Sequence, residues 1–186
     1  MGPSLGAINR SILLACDYFI TPMSSDVFSL LALGNIGSSI SSWSKLFNKG
    51  ILELDEDKKR SLDGMRQRCE IEFLGYVEQQ YIMKYTGGTA RAVRAYDEIL
   101  KQIPEAIQKD VVNQINIGKG DEINYKIGSI PNFYSLVPMS QTAHKPIFEL
   151  SACDGVVGAH YQKVKAFESL MNAIVDRMLN NMQALK

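Results

Sequence analysis

The chain has no phosphate-binding loop, no cysteine pair at metal or redox spacing, no net charge and no long apolar run. Each absence removes a class of function. A loop of the form G-x-x-x-x-G-K-[ST] wraps phosphates in backbone N–H groups and adds a lysine charge. Its nearest counterpart here, Ile117-Gly118-Lys119-Gly120-Asp121, lacks the first glycine and the closing Ser or Thr, and no strand leads into it. The three cysteines, Cys16, Cys69 and Cys153, are widely spaced with no C-x-x-C pair. That argues against a zinc site or a redox dithiol and for reduced, incidental thiols. The two histidines, His144 and His160, have no metal-ligand spacing to Cys, Asp or Glu and read as structural or surface residues. Lys plus Arg equals Asp plus Glu at 20 each, so only local patches, not overall charge, point toward nucleic acid or membrane. The most apolar stretch, Ile12 to Leu33, is broken by Asp17, Pro22 and Asp26, short of the roughly 18 residues that span a bilayer. No basic region followed by an apolar run opens the sequence, which argues against a signal peptide and for a cytoplasmic protein.

What is present is an ordinary globular composition. The 186 residues are 46% apolar and 22% charged, enough for a single domain over residues 1–186 with its own core. A helix is expected from Leu5 to Ala15, then a short strand over Tyr18-Phe19-Ile20-Thr21 stopped by Pro22. Ser24, Ser25 and Asp26 suit the cap of a second helix carrying Leu30, Leu33, Ile36, Ile40, Trp43 and Phe47, with Gly50 as its C-terminal cap. Residues 51–70, with the cluster Asp55-Glu56-Asp57-Lys58-Lys59-Arg60, read as a charged, mobile insertion holding at most one helical turn. Ile71 to Val77 is a second strand. A helix is expected over Thr89–Gln102, another from Pro104 to Ile115, and a third strand over Lys126–Ile130, stopped by Pro131. A further turn of helix over Val137–His144 and an extended Pro146-Ile147-Phe148 precede a long C-terminal helix. In that helix Val157, Tyr161, Val164, Phe167, Met171, Ile174, Met178 and Met182 follow helical spacing.

Strands alternating with helices predict an α/β protein with a parallel sheet covered on both faces. Three strands make a partial sheet, since sheets commonly hold about five or six. Ligands of such sheets lie beyond the carboxyl ends of the strands. Pro22, Ser24 and Asp26 follow the first strand, Glu78, Gln79 and Gln80 the second, and Pro131 and Asn132 the third. Amides at a strand end both donate and accept, which suits the edge of a planar base; ordinary loop polarity explains them equally well. Gly87-Gly88-Thr89 before a helix reads as a simple turn or as an anion site at a helix N-terminus. Arg91 and Arg94, one helical turn apart, with Lys84 before them, read either as contacts to DNA phosphates or as a solvated basic face. No nucleophile–base pair and no metal cluster emerges, so no catalytic residue and no metal ligand is assigned.

One ordered set of segments goes further. Gly2-Pro3-Ser4-Leu5-Gly6-Ala7-Ile8-Asn9 is followed by Leu13-Leu14-Ala15-Cys16-Asp17-Tyr18-Phe19-Ile20-Thr21-Pro22, then by Asp26-Val27-Phe28-Ser29-Leu30. Leu74-Gly75-Tyr76-Val77, Ile130-Pro131-Asn132 and Ala143-His144-Lys145-Pro146-Ile147 come after, in that order. This order strongly resembles the ParA partition ATPases, within the ParA/MinD group of deviant P-loop proteins. It covers nearly the whole chain outside 51–70. The resemblance implies part of a P-loop-NTPase-like, Rossmann-like three-layer domain that dimerises. It implies ATP and Mg²⁺ as cofactors of the parent family, nonspecific DNA and a ParB-like protein as partners, and plasmid or chromosome partitioning, nucleoid-associated, as the role. By position, Gly2 and Pro3 correspond to the loop that senses the γ-phosphate, and Gln79, Pro131 and Asn132 to the border of the adenine.

In that family the phosphate loop with its two lysines, and the Asp that begins the sensing loop, precede the point matching Gly2. Without them Mg²⁺ and the phosphates have no protein clamp. Phe133 and Tyr134 stand where the family often places basic residues. The expectation is therefore a C-terminal portion of a ParA-like ATPase, without ATP hydrolysis of its own. The alternative is a standalone interaction module that dimerises with, and regulates, a complete ParA-like ATPase.

Overall fold

A computed structural model describes residues 6–61, 69–81, 83–86, 89–92, 94–117, 119 and 123–186, with only the backbone path given between 80 and 97. The fold is mixed α/β. Three parallel strands, β1 (Tyr18–Ser24), β2 (Glu72–Tyr81) and β5 (Lys126–Pro131), form one sheet in the order β1-β2-β5. Two helical segments cover one face. They are α2 (Val27–Leu52) and a stretch made of α4 (Arg94–Ile107), a π-helical turn (Gln108–Val112) and α5 (Asn113–Ile115). Met23, Leu33, Phe73, Tyr76, Ile103, Ile107 and Val111 are buried between them and the sheet. On the other face Leu74, Val77 and Ile127 pack against Ile174, Met171 and Met178 of α7 (His160–Ala184). α1 (Ala7–Ala15) lies on α2 through Leu13 and Ile40. A two-stranded antiparallel hairpin, β3 (Met83–Thr86) and β4 (Thr89–Ala92), stands apart from the sheet. No helix among the described residues is long and apolar enough to cross a membrane.

Several boundaries differ from the sequence expectation, each for a physical reason. Pro22 does not stop β1. The Asp17 carbonyl accepts from Glu72 N–H at 2.8 Å, so residues 17, 19, 21 and 23 turn their backbone groups to β2 and residues 18, 20, 22 and 24 turn theirs outward. The missing N–H of Pro22 thus falls on the sheet's outer edge, where no ladder bond is lost. Ser24 N–H, also on that edge, donates to Ser29 Oγ at 3.2 Å. Gly50 does not end α2: a Cβ there would meet nothing within 4 Å, the helix runs on to Leu52, and Glu53 N–H closes it on the Lys49 carbonyl at 3.1 Å. Pro104 sits inside α4 rather than opening a new helix. The helical path then widens into the π turn, whose Asp110 carbonyl presses on α2 at Gly37, where a Cβ would come within 1.8 Å of that oxygen. Only glycine allows this approach. Ile147–Glu149 forms a 3₁₀ turn, not an extended piece. Within 51–70, α3 (Glu56–Ser61) begins at Asp55, whose carboxylate accepts from Lys58 N–H at 2.8 Å. Residues 62–68 lie outside the described residues, and Cys69 is buried against Ser44 and Asn48.

The central strand carries an extra residue. Phe19 pairs with Phe73 and Ile20 with Gly75, which skips Leu74, a β-bulge. Gly75 has φ +140°, and a Cβ there would lie 2.2 Å from the Tyr125 carbonyl oxygen. Asparagines supply the partners that neighbouring strands do not. Asn116, 3% exposed, accepts from Phe73 N–H through Oδ1 and donates to the Phe73 carbonyl through Nδ2, both at 2.9 Å. Its Nδ2 also reaches Tyr125 Oη at 3.1 Å. Asn181 of α7 donates to the Leu74 carbonyl at 2.7 Å and to that of Asn124 at 3.0 Å. Replacing Asn116 with leucine strands two buried backbone groups of Phe73. At about 1–3 kcal/mol each, the unfolding free energy in a urea titration is expected to fall by about 3 kcal/mol. A loss under about 1 kcal/mol would show that Phe73 finds other partners.

Candidate functional site

The carboxyl ends of β2 and β5 open onto a cleft of about 510 Å³. Gln79 enters it from β2, and Ile130 and Pro131 from β5. Asn132, Phe133 and Tyr134 line it from the following turn, Val137 and Pro138 from α6 (Leu136–Ala143), and Phe167 from α7. Three residues read from the sequence, Gln79, Pro131 and Asn132, therefore meet at one place. Strand register brings them together: Ser24 pairs with Gln79, Gln79 with Ile130, and Tyr81 with Pro131. Asn132 Oδ1 accepts from Tyr134 N–H at 2.7 Å, folding the chain tightly out of β5. The wall behind is aromatic. Phe133 meets Phe167 edge-on, with ring centroids 5.0 Å apart, and Phe148 lies nearly parallel to Phe167 at 6.3 Å. Among the described residues, no charged side chain lines the cleft.

The sequence named other residues that are placed elsewhere. Gly2 and Pro3 lie outside the described residues. Glu78, adjacent to Gln79, faces the opposite side of the sheet and is only 4% exposed. It accepts from Ser129 Oγ at 2.7 Å and pairs with Lys126 Nζ at 2.7 Å, so it is a satisfied buried carboxylate rather than a ligand group. Asp26 caps α2, accepting from Ser29 N–H at 2.8 Å and from Ser29 Oγ at 3.1 Å. Lys119, in the rejected glycine-rich segment, is at the opposite, amino end of the strands. It pairs with Glu72, and that hydrogen bond holds its ammonium above the ordinary lysine range. The cysteines are free thiols. His144 ends α6 in the left-handed conformation, and His160 begins α7 with Nε2 3.3 Å from Ser135 Oγ.

The basic trio requires correction. Arg91 and Arg94 do not share a helix. Lys84 is on β3 and Arg91 on β4, directly opposed in the hairpin register, while Arg94 is the first residue of α4. Alanine and arginine favour helices, but pairing of 89–92 with 83–86 overrides that preference. Gly87-Gly88, a pair typical of two-residue hairpin loops, is the sequence signal for it; both glycines lie outside the described residues. Thr89 accordingly opens a strand, and the anion site imagined at a helix N-terminus there has no helix. Phe133, Tyr134, Val137 and Phe167 were not foreseen as cleft residues. The only hint was an aromatic pair directly after Pro131-Asn132.

A ledge of bound polar groups holds the wall beyond α6. Lys145 Nζ contacts both carboxylate oxygens of Asp154 at 2.9 and 3.0 Å, and Asp154 also accepts from Ser151 Oγ and N–H. The Lys145 contact, followed by the Ser151 bonds, holds the Asp154 carboxyl below the usual range.

No family model matches this chain, and no curated protein matches it. Among solved structures it is similar to protein DIP2308 from Corynebacterium diphtheriae, at 23% sequence identity and a TM-score of 0.49. The match covers 72% of this chain and 43% of that one, so this chain spans less than half the length of that neighbour.

Beside the buried Glu78, burial first and then the negative charge of Glu78 push the Tyr76 phenol up from 10.0 to about 12. A raised folded-state value favours the neutral phenol in the native protein. The stability it contributes is fully present below about pH 10 and is lost as pH rises from about 10 to about 12. In urea midpoints measured across that window, Tyr76→Phe is expected to flatten part of the alkaline fall. An identical fall in both proteins would refute the assignment.

Proposed function

We propose that this chain is the distal portion of a ParA-like ATPase domain of P-loop-NTPase type, and that the strand-end cleft is the wall that receives the nucleotide base. The observation that carries this reading is the convergence of Gln79, Pro131 and Asn132 on one cleft, whose lining among the described residues is uncharged. Those are the residues that the resemblance aligns with the adenine border. A neutral cleft edged by amides fits an uncharged, planar base, whose edge both donates and accepts hydrogen bonds. The charged parts of a nucleotide need a different provider. No G-x-x-x-x-G-K-[ST] segment occurs in the sequence, and Gly2 and Pro3 are the only residues it aligns with phosphate sensing. In this reading ATP and Mg²⁺ are cofactors of the whole domain, dimerisation and a ParB-like partner belong to it, and the role is partitioning of plasmids or chromosomes.

The test is NMR titration. Adenosine at millimolar concentration is expected to shift the amide signals of Gln79, Asn132 and Tyr134, whereas ATP at micromolar concentration, with or without Mg²⁺, leaves the spectrum unchanged. Tight Mg²⁺-dependent ATP binding, or adenosine shifts confined to other parts of the chain, would overturn the proposal.

One observation favours the second reading, an interaction module for a complete ParA-like ATPase. The outer edge of β1 carries the uncharged run Tyr18 to Ser24, and Ile8 and Ile12 of α1 and Val27, Phe28 and Leu31 of α2 are exposed apolar residues. Edges and patches of this kind are pairing sites. On this reading, light scattering is expected to show association when a complete ParA-like ATPase is added. A monomer unaffected by that addition counts against it.

A further inference from the structure

Tyr134 stands out among the cleft residues because its backbone conformation is unfavourable for its side chain. Its φ is +45°, in the left-handed region that glycine and asparagine occupy easily and bulky residues rarely adopt. The turn leaves it no alternative. Its N–H is held by Asn132 Oδ1 at 2.7 Å, and its carbonyl accepts from Val137 N–H at 3.2 Å. A glycine or asparagine would satisfy the same turn with less strain. The ring is not repaid by burial either, since Tyr134 is 58% exposed while it lines the cleft. Phe133, its neighbour, packs against Phe167 and completes the wall. An exposed ring kept in a strained turn at the mouth of a neutral cleft has a use that core packing does not supply.

We infer that the Tyr134 ring is the stacking face for the base of a purine nucleoside, whose edge is met by the amides of Gln79 and Asn132. This rests on the base-binding reading given above and adds the residue that selects a flat aromatic ligand. The polar partners are suited to their part. Asn132 Oδ1 is engaged by the turn, which leaves its amide nitrogen as a donor, while Gln79 can both donate and accept. Among the described residues the lining holds no cation, so the part of a ligand these residues can recognise is the ring and its edge. Stacking of a base on an aromatic side chain changes affinity by about tenfold or more when the ring is removed.

The test uses adenosine as the probe, with NMR titration of the full chain and urea unfolding measured in parallel. Tyr134→Phe, which keeps the ring, is expected to bind within about twofold of the parent. Tyr134→Asn, which keeps a side chain suited to positive φ, is expected to bind about tenfold more weakly, with a urea midpoint equal to or above the parent's. Ribose 5-phosphate is expected to leave the strand-end signals unmoved. If Tyr134→Asn binds like the parent while Gln79→Ala weakens binding, stacking is refuted and the base-edge reading stands. Equal weakening in Tyr134→Phe and Tyr134→Asn, or a lowered urea midpoint in Tyr134→Asn, refutes stacking as the role of the ring. If adenosine moves no strand-end signal of the parent chain, both readings fall.

Discussion

The entry to the central strand is held by three asparagine side chains, and the rest of the structure depends on them. Asn48 of α2 exchanges two hydrogen bonds with the backbone of Cys69 at 2.7 and 3.1 Å, Asn116 does the same with Phe73, and Asn181 takes the Leu74 carbonyl. β2 is flanked by strands for only part of its length: β5 joins it at Tyr76. Before that point, among the described residues, its backbone groups on the β5 side face no strand, and a buried unpaired amide is costly. An asparagine amide carries a donor and an acceptor in one plane, so it can stand in for a strand residue. Each of the three comes from a different part of the fold, which ties both helical layers to the short stretch from Cys69 to Leu74 that leads into and opens β2.

That clamp fixes a bulge, and the bulge fixes the site. Because side chains alternate along a strand, one extra residue turns everything after it to the opposite face. Phe73 and Tyr76 both face the α2 side, and Leu74 and Val77 both face α7. Beyond the bulge Glu78 follows Tyr76, and Gln79 follows Val77 to the α7 side, where the cleft lies. Without the extra residue Glu78 would point into the cleft and Gln79 away from it. Gly75 is indispensable to this arrangement, since its left-side φ and its approach to the Tyr125 carbonyl exclude a side chain. The charged residue is thereby turned inward against Ser129 and Lys126, and the cleft receives neutral amides.

Much of the architecture was legible from local pattern. The three strands, the capping role of Asp26 and the long amphipathic C-terminal helix all rest on interactions within a few residues, or on a repeat that one helix presents to one neighbour. Three of the cleft residues were also legible, as polar or rigid residues directly after strands. The misreadings share a cause. Pro22 stays within β1 because its nitrogen faces the edge away from β2, and residues 89–92 leave the helix because 83–86 pair with them. In each case the deciding partner is beyond the window over which propensity operates.

By itself, the sequence determined the three strands of the parallel sheet, the helices at the two ends of the chain and the polar character of the strand ends, because apolar spacing, caps and residue type act locally. Tertiary structure alone decided which side of β2 Gln79 occupies, that Phe167 of a distant helix closes the wall behind it, and that Tyr134 is held among the cleft residues in a left-handed turn. Those outcomes depend on a bulge stabilised by asparagines 21 to 107 residues away in the chain from the backbone groups they hold. No local pattern encodes contacts at that separation; they exist only once the helices and the sheet have packed.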